Sequence, residues 1–273
     1  MNIKKIACLI LAGVMMCSVT ACGKKADADV LMREAKTNAN AIQNCTAVIS
    51  STLQFAANGK QNTFKTGNEI VYWAKPFALK STQTSLLGGT AGNSVSYTVT
   101  DSSGVWFYSS SGGEWQKTSA GNIGTTPLEQ VDILRLLDSV SSQKYVRETT
   151  LGSQKVHKLE ITFQSEVLRS TIENIVTATG MGKGSQTVVQ TLLDSSPAVY
   201  GYCYIDETTG QIARIELDAT EAINKIFQNI DGNGITVNVS KCDITGDIGN
   251  IGKAPAVELP PQASAAQTVQ AAG

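Results

Sequence analysis

The chain has 273 residues, of which 42% are hydrophobic, with 22 Lys and Arg against 23 Asp and Glu and a single histidine. That apolar content is enough for a core, and the near-neutral balance, with no Lys/Arg run interleaved with aromatics, excludes nucleic acid as a partner.

The first residues decide where the chain lives. Lys4 and Lys5 precede a continuous apolar run from Ile6 to Val19, which stops at Thr20-Ala21-Cys22-Gly23. A positive start, a short apolar run and small residues at its end make a secretory signal, and the run falls short of the roughly 20 apolar residues of a spanning helix. Residues 1–21 are therefore expected to be removed. Val19-Thr20-Ala21-Cys22 resembles the lipobox of bacterial lipoproteins. The resemblance implies that the Cys22 thiol is diacylated and that the bond before it is cut, so that Cys22 becomes the lipid-bearing first residue. Two acyl chains suffice to hold a protein on a bilayer where one does not. Residues 22–28 are then a lipidated anchor and linker, and the expected location is the extracytoplasmic face of the cell membrane.

Cys8 and Cys17 leave with the signal, which leaves Cys45, Cys203 and Cys242 besides the anchor. An oxidising exterior allows one bridge among these three, and spacing does not choose it. None lies in a Cys-x-x-Cys or Cys/His cluster, so neither a metal site nor a cofactor is expected.

Asp29 to Asn44 carries apolar residues at helical spacing. Cys45 to Phe55 then alternates, with Ala47, Ile49, Leu53 and Phe55 on one face of a strand. Ala57-Asn58-Gly59-Lys60 is the strongest hairpin signal in the sequence, leading into a strand at 63–73. Strands at 77–87, 94–100 and 105–109 follow, separated by Gly88-Gly89, Gly92-Asn93 and Asp101 to Gly104, and Ser110 to Gly113 turns the chain into Trp115. The period changes at Pro127, Leu128, Val131, Leu134 and Leu137, which predicts a helix over 126–140. A hairpin through Leu151-Gly152-Ser153 joins strands at 145–149 and 155–163. Two short helices, 166–179 and 185–193, come next. A second hairpin, 199–205 with 211–217, precedes a helix at 221–230 and a last strand at 235–243. From Ala254 the composition turns to Pro, Ala, Gln and Ser without periodicity, and 246–273 is expected to be a disordered tail.

Val105-Trp-Phe-Tyr with Glu114-Trp115, the paired helices after the strand ending at Phe163, and Tyr204 to Leu217 together resemble bacterial lipoproteins of the LolA and LppX/LprG type, over residues 29–245. The resemblance implies an α+β fold in which a strongly curved antiparallel sheet, a half-barrel, carries helices on its concave face. It also implies a cavity for an acyl chain or other hydrophobic ligand. Ile49, Leu53, Phe55, Val95, Tyr97, Val99, Leu159, Ile161 and Phe163 are the alternating residues placed inside, as cavity wall or as plain core.

Other patterns are weaker. Thr179 to Ser185 lacks the spacing of a phosphate loop, and Asn229 to Gly234 lacks the Glu that closes a calcium loop, since Ser240 stands there. His157 lies on an apolar-alternating strand face with no nucleophile motif near it, and Glu148, Asp206 and Glu207 read as strand-end or turn residues. The chain is expected to be a monomeric, non-enzymatic, membrane-anchored lipoprotein that binds a lipid or acyl chain. The alternative is an envelope interaction protein with a filled core and no ligand. An empty apolar cavity of several hundred Å³ separates the two.

Overall fold

A computed structural model describes residues 26–111, 113–119, 137–179, 186–194, 196–228 and 236–268. The signal peptide, Cys22 and most of the helix expected over 126–140 lie outside these residues. Of that helix Leu137 is described, fully buried in a single 3-10 turn, Leu137–Ser139.

Helix α1 (Ala28–Asn40) starts where Asp27 accepts hydrogen bonds from the Asp29 and Val30 amides, and it buries Met32, Ala35 and Ala39. Six strands follow as a meander: β1 (Asn44–Ala57), β2 (Lys60–Trp73), β3 (Ala78–Leu87), β4 (Thr90–Asp101), β5 (Gly104–Ser111) and β6 (Glu114–Ser119). The β1–β2 turn is the expected one. Asn58 and Gly59 both have positive φ, 49° and 79°, as a turn matched to strand twist requires. The second half runs β7 (Val140–Leu151), β8 (Gln154–Phe163), helices α2 (Arg169–Thr179) and α3 (Gln186–Asp194), β9 (Val199–Asp206), β10 (Ile212–Asp218), α4 (Thr220–Gln228) and β11 (Val237–Gly249).

All eleven strands form one open sheet in the order β6-β5-β4-β3-β2-β1-β11-β10-β9-β8-β7. Every neighbour is antiparallel. This is the curved half-barrel expected from the sequence. Two meanders meet at a single seam, β1 against β11, which pairs residues from opposite ends of the domain, Thr46 with Gly249.

The seam carries a bulge. Gln54 faces Lys241 but Phe55 faces Val239, so Ser240 is the extra residue. On its other side β11 loses its partner where β10 ends, at Asp218 opposite Asp243, and Asn224 of α4 takes over at Val239: its Nδ2 donates to Val239 O and its Oδ1 accepts from Val239 N, both at 2.7 Å. Thr220 Oγ1 accepts from the Cys242 amide at 2.9 Å. These bonds seat α4 on β11, and its apolar side (Ala222, Ile223, Ile226, Phe227) is buried.

The helices cover the concave face. Leu168, Ile172, Ile175 and Val176, with Val189, Leu192 and Leu193 of α3, join one core with Leu159, Ile161, Phe163, Cys203, Ile205 and Ile215 of the sheet. Gly201 sits beneath this layer. A Cβ there would lie 2.9 Å from the Phe163 ring and 2.3 Å from Glu216 O, so only glycine admits the ring.

The segment expected to be disordered, 246–273, is ordered as far as it is described. β11 extends to Gly249, and residues 250–268 run back along the sheet, with Pro261–Ser264 forming a single helical turn, α5. Trp73 Nε1 donates to Pro255 O at 2.8 Å, and the Ala254 amide donates to Asn44 Oδ1 at 2.9 Å. The reason the sequence misleads is physical: an extended Pro-rich segment has no internal hydrogen bonds and shows no periodicity, yet docks if a surface receives it.

The Asn224 bridge yields a prediction. Asn224→Leu keeps the volume but strands two backbone groups, and should cost about 2 kcal/mol in urea unfolding. A cost below about 0.5 kcal/mol would show that the Val239 backbone is not held by this side chain.

Candidate functional site

The nine residues expected inside do not share a face. A residue directly opposite another across an antiparallel ladder points to the same side, and the register carries this outward from β1. Leu53 faces Phe64, Phe64 faces Leu87, and Leu87 faces Thr90. On β4 the concave side therefore belongs to Ser94, Ser96 and Thr98. Val95, Tyr97 and Val99 point the other way, which corrects their expected placement. They join Tyr108, Trp106 and Trp115 in a separate cluster on the convex side.

The remaining six lie on the concave side and are packed. Leu159 and Ile161 are fully buried, as is Phe55, which stacks on Phe64 at 5.8 Å between ring centroids. Ile49 is half-buried against the same core. Neither of the two hollows defined by described residues is lined by any of the nine.

The larger hollow, about 1150 Å³ and wide open, lies beside α4 and the convex side of β9–β11. Tyr200, Tyr202, Glu216, Asp218 and Asp243 line it, with Tyr200 59% exposed. Its lining mixes these polar side chains with Pro197, Val199, Leu217 and Ile244. Next to it the convex ladder is tied by charge: Arg214 grips Asp247 through Nε (2.6 Å) and Nη2 (3.0 Å), and Tyr204 donates to Glu216 at 2.7 Å. Burial and that hydrogen bond to Glu216 raise the Tyr204 phenol well above its usual pKa, which keeps it a donor.

The smaller hollow, about 430 Å³, lies between α1 and the turn at 206–210 and contains His157. His157 faces Glu148 and Ile205 across the ladders, its ring 6.0 Å from Tyr145. Its Nδ1 is buried with no hydrogen-bond partner. Asp206, instead, caps its own turn, accepting from Thr208 N, Thr209 N and Gln154 Nε2. Among the described residues no group of three His, Cys, Asp or Glu side chains is placed to hold a metal.

Cys45, Cys203 and Cys242 are free thiols, all buried. Burial pushes Cys45 up to about 11 and Cys203 and Cys242 up to about 12. No helix among the described residues is long and apolar enough to cross a membrane.

No family model and no curated protein matches the chain. Solved structures similar to it include LprF from Mycobacterium bovis, 11% identical, covering 85% of this chain and 95% of that one with a TM-score of 0.45. Lipoprotein LppX from Mycobacterium tuberculosis is 12% identical over 84% and 99%, with a TM-score of 0.44. A domain assigned to outer membrane lipoprotein sorting, from Vibrio parahaemolyticus, is 8% identical over 81% and 91%, with a TM-score of 0.25. These are of the LppX/LprG and LolA kinds that the sequence passages resemble; the half-barrel itself rests on the strand register, not on these likenesses.

Two measurements check the site's description. With pKa values near 11 to 12, the three thiols hold well under 1% thiolate at pH 8, so Ellman's reagent should label none of them in the folded chain and all three in guanidinium; rapid native labelling would contradict their burial. Leu159→Arg should cost several kcal/mol, since it places an unpaired charge in the core. Its control, Val95→Arg on the half-buried convex side, should cost much less. Equal losses would overturn the assignment of faces.

Proposed function

We propose that the chain is a lipid-anchored, extracytoplasmic lipoprotein that acts by binding rather than by catalysis, and that its guest is a lipid or acyl chain held on the concave wall of the half-barrel. Cys22 is the anchor and residues 22–28 are the tether. The observation that supports the guest site is the cover of that wall. Leu159, Ile161, Phe163, Cys203, Ile205 and Ile215 form a continuous apolar surface. Much of its cover comes from α2, of 11 residues, and α3, of 9. Helices this short are marginal by themselves and are held by packing. An acyl chain that replaced their apolar sides would exchange one buried hydrocarbon surface for another, at little net cost in exposed area.

A second reading has its own observation. The concave side is filled as it stands, and the larger hollow opens on the convex side. A protein of the cell envelope that binds partners on its outside would be built in the same way.

The readings part at one experiment. The full chain, purified in detergent and extracted with organic solvent, is compared by mass spectrometry with an unrelated lipoprotein after exposure to envelope lipids. One enriched lipid per chain beyond the covalent anchor supports the guest site; a repeatedly clean extract favours the filled-core reading. The anchor is tested separately. Cys22→Ala should leave the chain uncleaved and without acyl groups, and unchanged processing and membrane retention would refute the lipoprotein assignment.

A further inference from the structure

Helix α1 fixes at which end of the half-barrel the chain enters the fold. In its first turn Asp29 accepts from Gln143 Nε2 at 2.6 Å, near the start of β7. In its last turn Asn38 Nδ2 donates to Thr209 O at 3.2 Å and to Gly210 O at 3.0 Å. That β9–β10 turn belongs to the far end of β7, since the Glu207 amide donates to Lys155 O and Lys155 faces Thr150. Helix α1 therefore runs along β7 in the same direction, and Asp27 stands at the rim where β7 begins.

The same rim gathers the ends of other elements. Val140, the first residue of β7, faces Phe163, the last of β8, and the Gln164 amide donates to Ser139 O at 2.8 Å. From there a 3-10 turn, Ser165–Leu168, leads directly into α2, and β9 starts at Val199, again opposite Phe163. Beside it stands Tyr200, opposite Thr162 and the most exposed large apolar side chain among the described residues. Two strand spacings, roughly 10 Å, separate its strand from the Gln143 contact.

An open tyrosine ring suits a membrane–water interface, where its apolar body and polar tip each find their surroundings. The reach of the chain favours the same rim. Asp27 follows Cys22 by five residues, and a fully extended chain spans at most about 18 Å over that length. Strand β8, of 10 residues, is roughly 30 Å long. With Cys22 held in a bilayer, the tether is too short for the domain to stand on its opposite rim.

We propose that this rim is a bilayer-docking surface: Tyr200 and the turn at 164–167 lie at the headgroup level of the membrane that carries the anchor, and the turns at 152–153 and 206–210 point away from it. This orientation depends on the acylation of Cys22 proposed above and on no property of the concave wall. The start of α2 is then the part of the helical cover nearest the bilayer.

The test uses the full acylated chain in phosphatidylcholine vesicles that carry a nitroxide on the lipid headgroup. Gln164→Cys and Ser153→Cys flank β8 at its two ends, both at exposed positions, and each takes one fluorophore, while the buried Cys45, Cys203 and Cys242 take none. With roughly 30 Å between them, the label at position 164 should be quenched about threefold more than the label at 153. Tyr200→Ser should about halve the quenching at 164 while leaving acylation unchanged. Equal quenching at the two positions, stronger quenching at 153, or a 164 label indifferent to Tyr200→Ser overturns the docking surface alone, provided the mass of the Cys22 peptide shows its acyl chains. A Cys22 peptide without acyl chains overturns the anchor and this orientation with it.

Discussion

The structure depends on the pairing of β1 with β11. Each meander pairs strands that follow one another in the chain and closes its own ladder, but only this seam makes the eleven described strands into one sheet. It joins residues 44–57 to 237–249, and long-range pairing must overcome the chain entropy that local turns avoid. The bulge opposite Gln54 and Phe55 lies on one side of β11; on the other side, past the end of β10 at Asp218, Asn224 bonds both backbone groups of Val239 and so braces the seam with α4. The Asn58 turn adds to it, because Asn58 exchanges hydrogen bonds with Thr236 at the entry to β11, with Oδ1 accepting from the Thr236 amide and the Asn58 amide donating to Thr236 O, both at 3.0 Å.

An open sheet has two edges, and each must be kept from pairing with another chain. Here both are met by the ends of the domain. Gln143 on β7 donates to Asp29 of α1 at 2.6 Å, while β6 is met by Gln267 and Thr268. The arrangement gives the terminal segments a purpose that composition does not reveal. The same geometry divides the molecule into a concave side packed by helices and a convex side with an aromatic groove at one end and a charged ladder at the other.

Much of this was legible in the sequence. The order of elements, the Asn-Gly hairpin and the shared face of Ala47, Ile49, Leu53 and Phe55 follow from period and turn chemistry. What alternation alone does not decide is which face of one strand matches which face of the next. The missing signal was turn length. The two-residue turns at Asn58-Gly59 and Gly88-Gly89 set Leu53 opposite Phe64 and Leu87 opposite Thr90, and counting back from them puts Val95, Tyr97 and Val99 on the far side. The docking of residues 254–268 was not legible, because a Pro- and Ala-rich segment with one helical turn reads the same whether or not an aromatic surface awaits it. Nor was it legible that the three thiols would be separated within the core as free cysteines, since pairing is a three-dimensional fact.

The central claim is that α2 and α3 are a replaceable lining over an apolar wall. Amide hydrogen exchange on the full chain in vesicles, with and without a long-chain fatty acid, tests it most directly. The account predicts that the fatty acid speeds exchange in residues 169–179 and 186–194 while β8 and β9 keep their protection. Unchanged exchange in both helices at saturating fatty acid would contradict it.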